Sequence, residues 1–215
     1  MTFDEVTRAA AKEAERAVTI TIEQMRRRHA YDEEDVTGCL FGSLVTVFDK
    51  TEIGGVKLAA TILRHGKGTA AEERRYGADM LIHVSMDTPT QSYSKGVLIQ
   101  AKKKEPGDYW SPTSHTDLVD QCNRMLAVTA AAFVFSYTER GIRCGAATRV
   151  AGAKVVTNPN YLCRWTSYRF FLELFRCPIG DPRITSADVA DLPVPFVLKI
   201  DFSGQLTFEP GASTM

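Results

Sequence analysis

Within residues 72–104, two short apolar runs are each joined to polar residues, and this pattern most constrains the possible fold. Asp79 directly precedes the run MLI, and the run VLI ends in QAK at positions 100–102. Short apolar runs bounded by loop residues are typical of buried strands. We therefore predict strands at residues 76–84 and 96–102. If they are neighbours, they bring an acid, an amide and an amine to one edge of a sheet.

The overall composition indicates a folded globular protein. The chain has 215 residues, of which 44% are hydrophobic and 24% charged, so we expect one domain spanning residues 1–215. Its formal net charge is zero, so any binding of nucleic acid must come from local patches. No apolar run approaches the ~18–20 residues that span a bilayer, and the first residues lack the layout of a signal peptide. We expect a cytoplasmic protein that does not bind membranes.

Several common site types have no signature in the sequence. The five cysteines are an odd number without a CxxC pair, which argues against a zinc ribbon or a disulfide framework. The four histidines show no HExxH spacing. No GxGxxG, GxxxxGK[ST] or GxSxG string is present, so nucleotide-binding folds and serine hydrolases lose their main support.

Two helices are predicted before the strands. Apolar residues recur at three- and four-residue steps over residues 3–29, and residues 32–48 begin with an aspartate suited to the N-cap. At 100° per residue, Glu33 falls about 20° from Leu44 on the apolar face of the second helix, and Glu34 about 80° away. Both acids suit the helix dipole. An inward carboxylate also needs a partner, and a metal ion is one candidate.

The order of the predicted elements is helix, three strands, helix and strand. We expect the three strands to pair as an antiparallel meander because they are consecutive and their loops are short. The third strand is followed by a helix and a buried strand that pairs with a short hairpin partner. The remaining predictions are a strand at 56–63, a helix at 116–129, strands at 131–137 and 141–147, a helix at 165–175, and a strand at 194–202 with a partner at 206–208.

The polar cluster has the chemistry of a magnesium site. A divalent ion such as Mg²⁺ prefers hard oxygen ligands. Asp79 offers a carboxylate, Gln100 an amide oxygen and Ala101 a backbone carbonyl. Side chains alternate along a strand, so Gln100 and Lys102 share a face while Ala101 points away. The ammonium of Lys102 would then lie beside the metal, where it can orient a water or offset phosphate charge.

The segment Gly77-Ala78-Asp79, 21 positions before the Gln100 of the Gln-x-Lys tripeptide, resembles the PD-(D/E)XK nuclease superfamily. More narrowly, it is similar to the Asp…Gln-x-Lys variant of Mrr-like restriction endonucleases and related phage-defence effectors. Ala78 replaces the usual proline and Gln100 the usual second acid, and both departures occur within the Mrr-like branch.

The resemblance implies a restriction-endonuclease-like α/β core. That core has a mixed central sheet flanked by helices, in the order α-β-β-β-α-β. The resemblance covers roughly residues 32–147, leaving an extra N-terminal helix and a C-terminal α+β extension over residues 148–215. It implies hydrolysis of phosphodiester bonds that depends on Mg²⁺ or Mn²⁺. Asp79, Gln100 and Lys102 match the catalytic residues, and the acid that this family often carries on the preceding helix corresponds to Glu33 or Glu34.

Further residues around the cluster are candidates for contacts with nucleic acid. Lys103, Lys104 and Arg75 bracket the cluster and can pair with phosphates, although an ordinary charged surface explains them equally well. Gln121 interrupts the predicted helix at 116–129, and a substrate or site role is one reading of it.

The function expected from this pattern is a magnesium-dependent endonuclease acting on DNA, in prokaryotic antiviral defence or restriction. The alternatives are a non-catalytic module that binds nucleic acid or assembles with the same fold, and a nuclease directed at RNA. Cleavage of both strands generally requires two sites, so we expect a homodimer or a higher homo-oligomer. The sequence has no evident DNA-reading module, so a partner protein of the same defence system is a candidate source of specificity.

Overall fold

A computed structural model describes residues 1–64, 76–185 and 193–205, and its centre is a mixed sheet of eight strands. The strands are β1 (Glu52–Ile53), β2 (Val56–Arg64), β3 (Met80–Thr88), β4 (Gln91–Lys103), β5 (Ala132–Thr138), β6 (Gly141–Ala146), β7 (Trp165–Thr166) and β8 (Phe196–Gly204). The helices are α1 (Phe3–Arg26), α2 (Glu33–Phe48), α3 (Pro112–Val128), α4 (Ala147–Ala151), α5 (Pro159–Leu162) and α6 (Ser167–Phe175). The predicted α/β class, with a mixed central sheet flanked by helices, is confirmed.

The order of strands in the sheet is β1-β2-β8-β3-β4-β5-β6-β7. β3 and β4 form the predicted antiparallel hairpin, in which Met80 is opposite Ile99. The predicted meander is wrong for the first of the three strands, because β8 lies between β2 and β3. β8 runs antiparallel to β2 and parallel to β3. The apolar residues that begin β8 are buried, which suits a strand with neighbours on both sides.

The first two helices agree with their sequence patterns. The side chain of Thr2 caps α1, and the apolar residues of that helix pack against α2 and α6. Asp32 caps α2 as predicted, accepting a hydrogen bond from the Asp35 backbone, and Asp35 completes the capping box. The cap fixes where α2 begins and therefore where the carboxylate of Glu33 in its first turn lies.

Two hydrophobic cores cover the two faces of the sheet. The larger lies against α1, α2 and α6, and it includes Ile99 and Ala101 from β4. The smaller lies against α3 and α4, and it includes Leu98 from the same strand. Gln100 is on the α3 side of the sheet because side chains alternate. The predicted separation of Gln100 from Ala101 is therefore confirmed.

The last third of the chain contains both kinds of element predicted for it. The helix expected at 165–175 begins at Ser167, since Trp165 and Thr166 form β7 beside β6. The strand expected at 194–202 is β8, but it pairs with β2 and β3. Its expected partner at 206–208 lies outside the described residues. Among the helices that the structure describes, none is long and apolar enough to cross a membrane.

Candidate active site

Asp79 lies immediately before β3, where it is held by two neighbouring strands, β4 and β8. Its backbone N–H donates to the carbonyl of Ile99 at 3.0 Å, and its carbonyl accepts from the N–H of Phe196 at 3.1 Å. Its carboxylate Oδ2 accepts from the backbone N–H of Ala101 at 2.8 Å and from the side-chain amide of Gln100. The structure therefore brings the predicted acid and the predicted amide into direct contact.

The amide of Gln100 is buried, with 1% of the residue exposed. Its Nε2 donates to Asp79 and to the carbonyl of Ala101, the latter at 3.1 Å. Its Oε1 is buried and has no hydrogen-bond partner among the described residues. A buried oxygen without a partner is uncommon in folded proteins and suggests a missing water, ion or ligand. The oxygen predicted as a metal ligand is thus present, but it faces away from Asp79.

Lys102 meets the predicted acid of α2. Its ammonium Nζ lies 3.2 Å from Oε2 of Glu33, and the other carboxylate oxygen of Glu33 accepts from the backbone N–H of Lys103 at 3.0 Å. The Lys102 side chain is 17% exposed and that of Glu33 39%. Glu33 therefore faces the end of β4, although its side chain stays partly exposed. Its partner in this structure is the lysine, and no described hydrogen bond or ion pair joins Glu34 to the cluster.

Gly77 fixes the distance between the Asp79 segment and α3. It adopts φ +69°, and a Cβ atom there would lie 2.4 Å from the backbone oxygen of Gln121. Only glycine fits such an approach without strain. The Gln121 amide oxygen is buried without a described partner. α3 thus approaches the Asp79 segment through the backbone of Gln121, and no contact between the Gln121 side chain and Asp79 is described.

Three further residues next to the cluster were not singled out from the sequence. Tyr137 is fully buried and shares a hydrogen bond of 3.0 Å with Thr37 on α2. Burial raises the pKa of Tyr137, and the charges of Asp79 and Glu33 raise it further. Ser136, opposite Lys102 in the sheet, is buried and its hydroxyl has no described partner. The sequence feature that could have identified Ser136 and Tyr137 is their position as polar residues in the apolar run AAFVFSY.

Two of the predicted phosphate-binding residues, Lys103 and Lys104, contact other groups of the protein. Lys103 donates to the carbonyl of Tyr31, and Lys104 pairs with Asp108 at 3.9 Å. Both cations are therefore partly engaged by the protein itself. Arg75 lies outside the described residues.

The cluster offers oxygen donors of different kinds around the carboxylate of Asp79. In the part of the chain that the structure describes, no group of three or more His, Cys, Asp or Glu side chains is placed to hold a metal ion. The donor set at this site instead combines a carboxylate, an amide and a backbone carbonyl. Comparisons of the chain with protein-family models, curated proteins and solved structures find no match. Any conclusion about function therefore depends on the geometry of the site.

Proposed function

We propose that this protein is a metal-dependent endonuclease that hydrolyses phosphodiester bonds of DNA, in prokaryotic anti-phage defence or restriction. The observation that supports the proposal is the convergence of Asp79, Gln100, Lys102 and Glu33 at one end of β4. These residues come from three separate elements, and each was selected from the sequence for the same chemistry. Asp79, Gln100 and Lys102 also match the Asp…Gln-x-Lys pattern of Mrr-like nucleases.

The residues present fit a hard divalent cation such as Mg²⁺ or Mn²⁺. Asp79 would hold it with its carboxylate, Gln100 with the oxygen that has no described partner, and Ala101 with its carbonyl. Gln100 now directs its nitrogen towards Asp79, so a half-turn of the amide exchanges the two atoms. When bound, the cation supplies Lewis-acid stabilisation of charge on the phosphoryl oxygens.

The lysine contributes charge at a fixed position. An ammonium has three N–H donors, and the described contacts of Lys102 use one of them for Glu33. The other two can donate to a phosphate oxygen as negative charge develops there. Glu33 keeps the ammonium in place and holds the neighbouring backbone N–H of Lys103. In this proposal Lys102 is catalytic, and Glu33 either positions it or completes the metal ligands.

The proposed partners follow from the reaction. Cutting both strands of DNA generally requires two sites, so we propose a homodimer or a higher homo-oligomer. A partner protein from the same defence system would supply the choice of target. A dimer is tested by measuring the mass of the protein in solution with and without a DNA duplex.

The test of the proposed function is cleavage of plasmid DNA with Mg²⁺ or Mn²⁺. Asp79→Asn keeps an oxygen for the N–H of Ala101 but removes the charge, and Lys102→Met keeps the length of the side chain. We expect both variants to lose at least about a hundredfold in rate. Glu34→Gln is the matched control and should cleave like the wild type. Equal cleavage by the wild type and all three variants would contradict the proposed active site. If no substrate or partner protein leads to cleavage by the wild type, the proposed enzymatic function is wrong.

A non-catalytic nucleic-acid-binding module is the second candidate. One observation favours it: the Glu33 carboxylate is already engaged by Lys102 and by the N–H of Lys103. A site organised in this way can hold its shape without a metal. Binding of DNA without cleavage, unchanged by Asp79→Asn, would support this candidate. A parallel RNA substrate decides between the DNA-directed enzyme and an RNA-directed one.

A further inference from the structure

Two adjoining cavities lie at the beginning of β6, next to the turn that joins it to β5. The first, of about 280 Å³, lies between α1 and β6. The second, of about 160 Å³, lies between β6 and the segment that follows β4. Arg140 and Arg143 line both cavities and separate them. We call the two cavities, together with Arg26, Arg140 and Arg143, the arginine trench.

The arginine trench has an excess of positive charge. Arg26, Arg140 and Arg143 are all exposed. Among the ion pairs that the structure describes, none includes any of the three. Arg26 donates through Nε to the carbonyl of Glu139 at 2.8 Å, which uses one of its five N–H donors. Glu15 is the carboxylate that lines the first cavity, so the cations outnumber it.

Arg143 projects from the same face of the sheet as Lys102, whereas the first cavity lies against α1 on the other face. In the β4–β5 ladder Lys102 is opposite Ser136, and in the β5–β6 ladder Ser136 is opposite Arg143. Residues directly opposite each other in a ladder point to the same face. The Cα atoms of Lys102 and Arg143 are therefore two strand spacings apart, about 10 Å. A single extended ligand can reach both side chains.

The lining of the trench fits a nucleic-acid backbone. A guanidinium group matches the oxygens of a phosphate with two parallel N–H donors, and Arg is the residue that suits this recognition best. The apolar residues that line the first cavity, Val18, Ile22 and Ile142, belong to the buried core, so the arginines provide the contacts available to a ligand. The chain has no net charge, so a local group of cations must provide the attraction for phosphates.

We propose that the arginine trench binds the phosphate backbone of a nucleic acid next to the phosphate held at the Asp79 cluster. This inference depends on the proposed function, since it names the surface that holds the substrate. Arg140 and Arg143 make the main contacts because they line both cavities. Arg26 stabilises the trench from α1 through its bond to the turn between β5 and β6.

The test measures binding separately from cleavage. Every protein carries Asp79→Asn, and the affinity for a labelled DNA duplex is measured by fluorescence anisotropy between about 50 and about 200 mM salt. The Arg140→Ala/Arg143→Ala variant should bind at least about tenfold more weakly at the lower salt. Its plot of log affinity against log salt should become less steep by about 1 for each arginine.

Lys57→Ala is the matched control. Lys57 is exposed on β2, which stands five places from β6 in the sheet, about 24 Å away. Its removal should leave the salt dependence unchanged. Arg140→Gln/Arg143→Gln, which removes the charges and keeps polar side chains, provides a second variant should the alanine variant fail to fold. Circular dichroism verifies the fold of each protein.

The outcomes separate this inference from the proposed function. If the wild type cleaves DNA and the arginine variants bind like the Lys57 control, the trench inference is wrong and the nuclease stands. If the Asp79→Asn protein binds no nucleic acid at any salt and the wild type cuts none, both are wrong. If polyglutamate binds the trench and nucleic acid does not, the partner is an acidic peptide and the inference also fails.

Discussion

The carboxylate of Glu33 holds the ammonium of Lys102 at 3.2 Å, although the two residues are 69 positions apart in the chain. The cap of α2 and the end of β4 meet at this contact. The same carboxylate accepts from the backbone N–H of Lys103. Glu33 thus links the first long helix of the predicted core to the strand that carries the candidate site.

This contact predicts different effects for the two acids of α2. Glu33→Ala should lower the affinity for Mn²⁺ about tenfold to a hundredfold, because a group that orients the site is lost. Glu34→Ala should have little effect, since no described contact joins it to the cluster. Calorimetric titration with Mn²⁺ measures both. Equal affinities for the two variants would contradict the assignment of Glu33.

Gly77 provides a second prediction. Gly77→Ala should destabilise the protein by several kcal/mol or displace Asp79, since its φ is positive and its Cβ would meet the backbone of α3. Gly42→Ala is the control: a Cβ at Gly42, inside α2, meets nothing within 4 Å. That substitution should stabilise the protein by about 0.5–1 kcal/mol. Urea denaturation measures both, and a neutral Gly77→Ala would contradict the model of a forced close approach.

The buried pair of Tyr137 and Thr37 supports a third prediction. Thr37→Val should destabilise the protein by about 1–3 kcal/mol, since it leaves the tyrosine hydroxyl buried without its described partner. Adding Tyr137→Phe should recover part of this loss, because both polar groups are then absent. A double-mutant cycle in urea measures the coupling. Purely additive effects would show that the hydrogen bond contributes nothing.

The aromatic core offers a fourth prediction, about stability alone. Phe170 is fully buried and packs edge-on against Phe133 and Phe135, with ring centroids 5.2 and 4.8 Å away. Phe170→Ala should therefore lower the free energy of unfolding by about 3–5 kcal/mol. Tyr109→Ala is the control, because Tyr109 is 79% exposed and its change should stay within about 0.5 kcal/mol. Comparable losses would mean that this core is not packed as described.

The fifth prediction concerns how the stability of the protein falls at acidic pH. Burial, helped by the charge of nearby Lys199 and opposed by that of Asp201, lowers the pKa of His83 from its ordinary 6.5 to about 4. Between these two values the unfolded chain binds a proton that the folded protein does not. The free energy of unfolding therefore falls as the pH drops through this window, by up to about 3 kcal/mol.

His83→Gln removes this contribution and is the variant that tests it. Its stability should change less than that of the wild type between about pH 7 and about pH 5. Urea denaturation at both pH values gives the comparison. Parallel pH profiles for the two proteins would show that His83 does not have a lowered pKa in the folded state.

Most helices and strands could be predicted from the sequence because the patterns that specify them lie within short stretches of the chain. The apolar stripe of α1, the cap of α2 and the apolar runs of β3, β4 and β5 each lie within a few residues of one another. Asp79 and Gln100 come together for a similar reason, since a hairpin with a short turn fixes their register. Predicting that Lys102 and Glu33 lie together required one further inference, namely that the first turn of α2 directs Glu33 towards the sheet.

The sequence did not predict the position of β8, because strand order depends on contacts across most of the chain. Residues 194–202 show the apolar pattern of a strand, but no pattern within these residues predicts that the strand lies between β2 and β3. The arginine trench was missed for a related reason. Arg26 is more than a hundred positions from Arg140 and Arg143 in the chain, and only the pairing of β4 with β5 and of β5 with β6 brings Arg143 to the side of Lys102.

The central position of β8 has a consequence for biosynthesis. A ribosome makes β3 and β4 more than ninety residues before it completes β8, which begins at Phe196. Until then, β2 and β3 lack the neighbour that separates them, and the carbonyl of Asp79 lacks the N–H of Phe196. A chain that ends before β8 therefore lacks one of the backbone contacts that hold Asp79. If the protein cuts DNA as proposed, this order of assembly would withhold activity until β8 has been made.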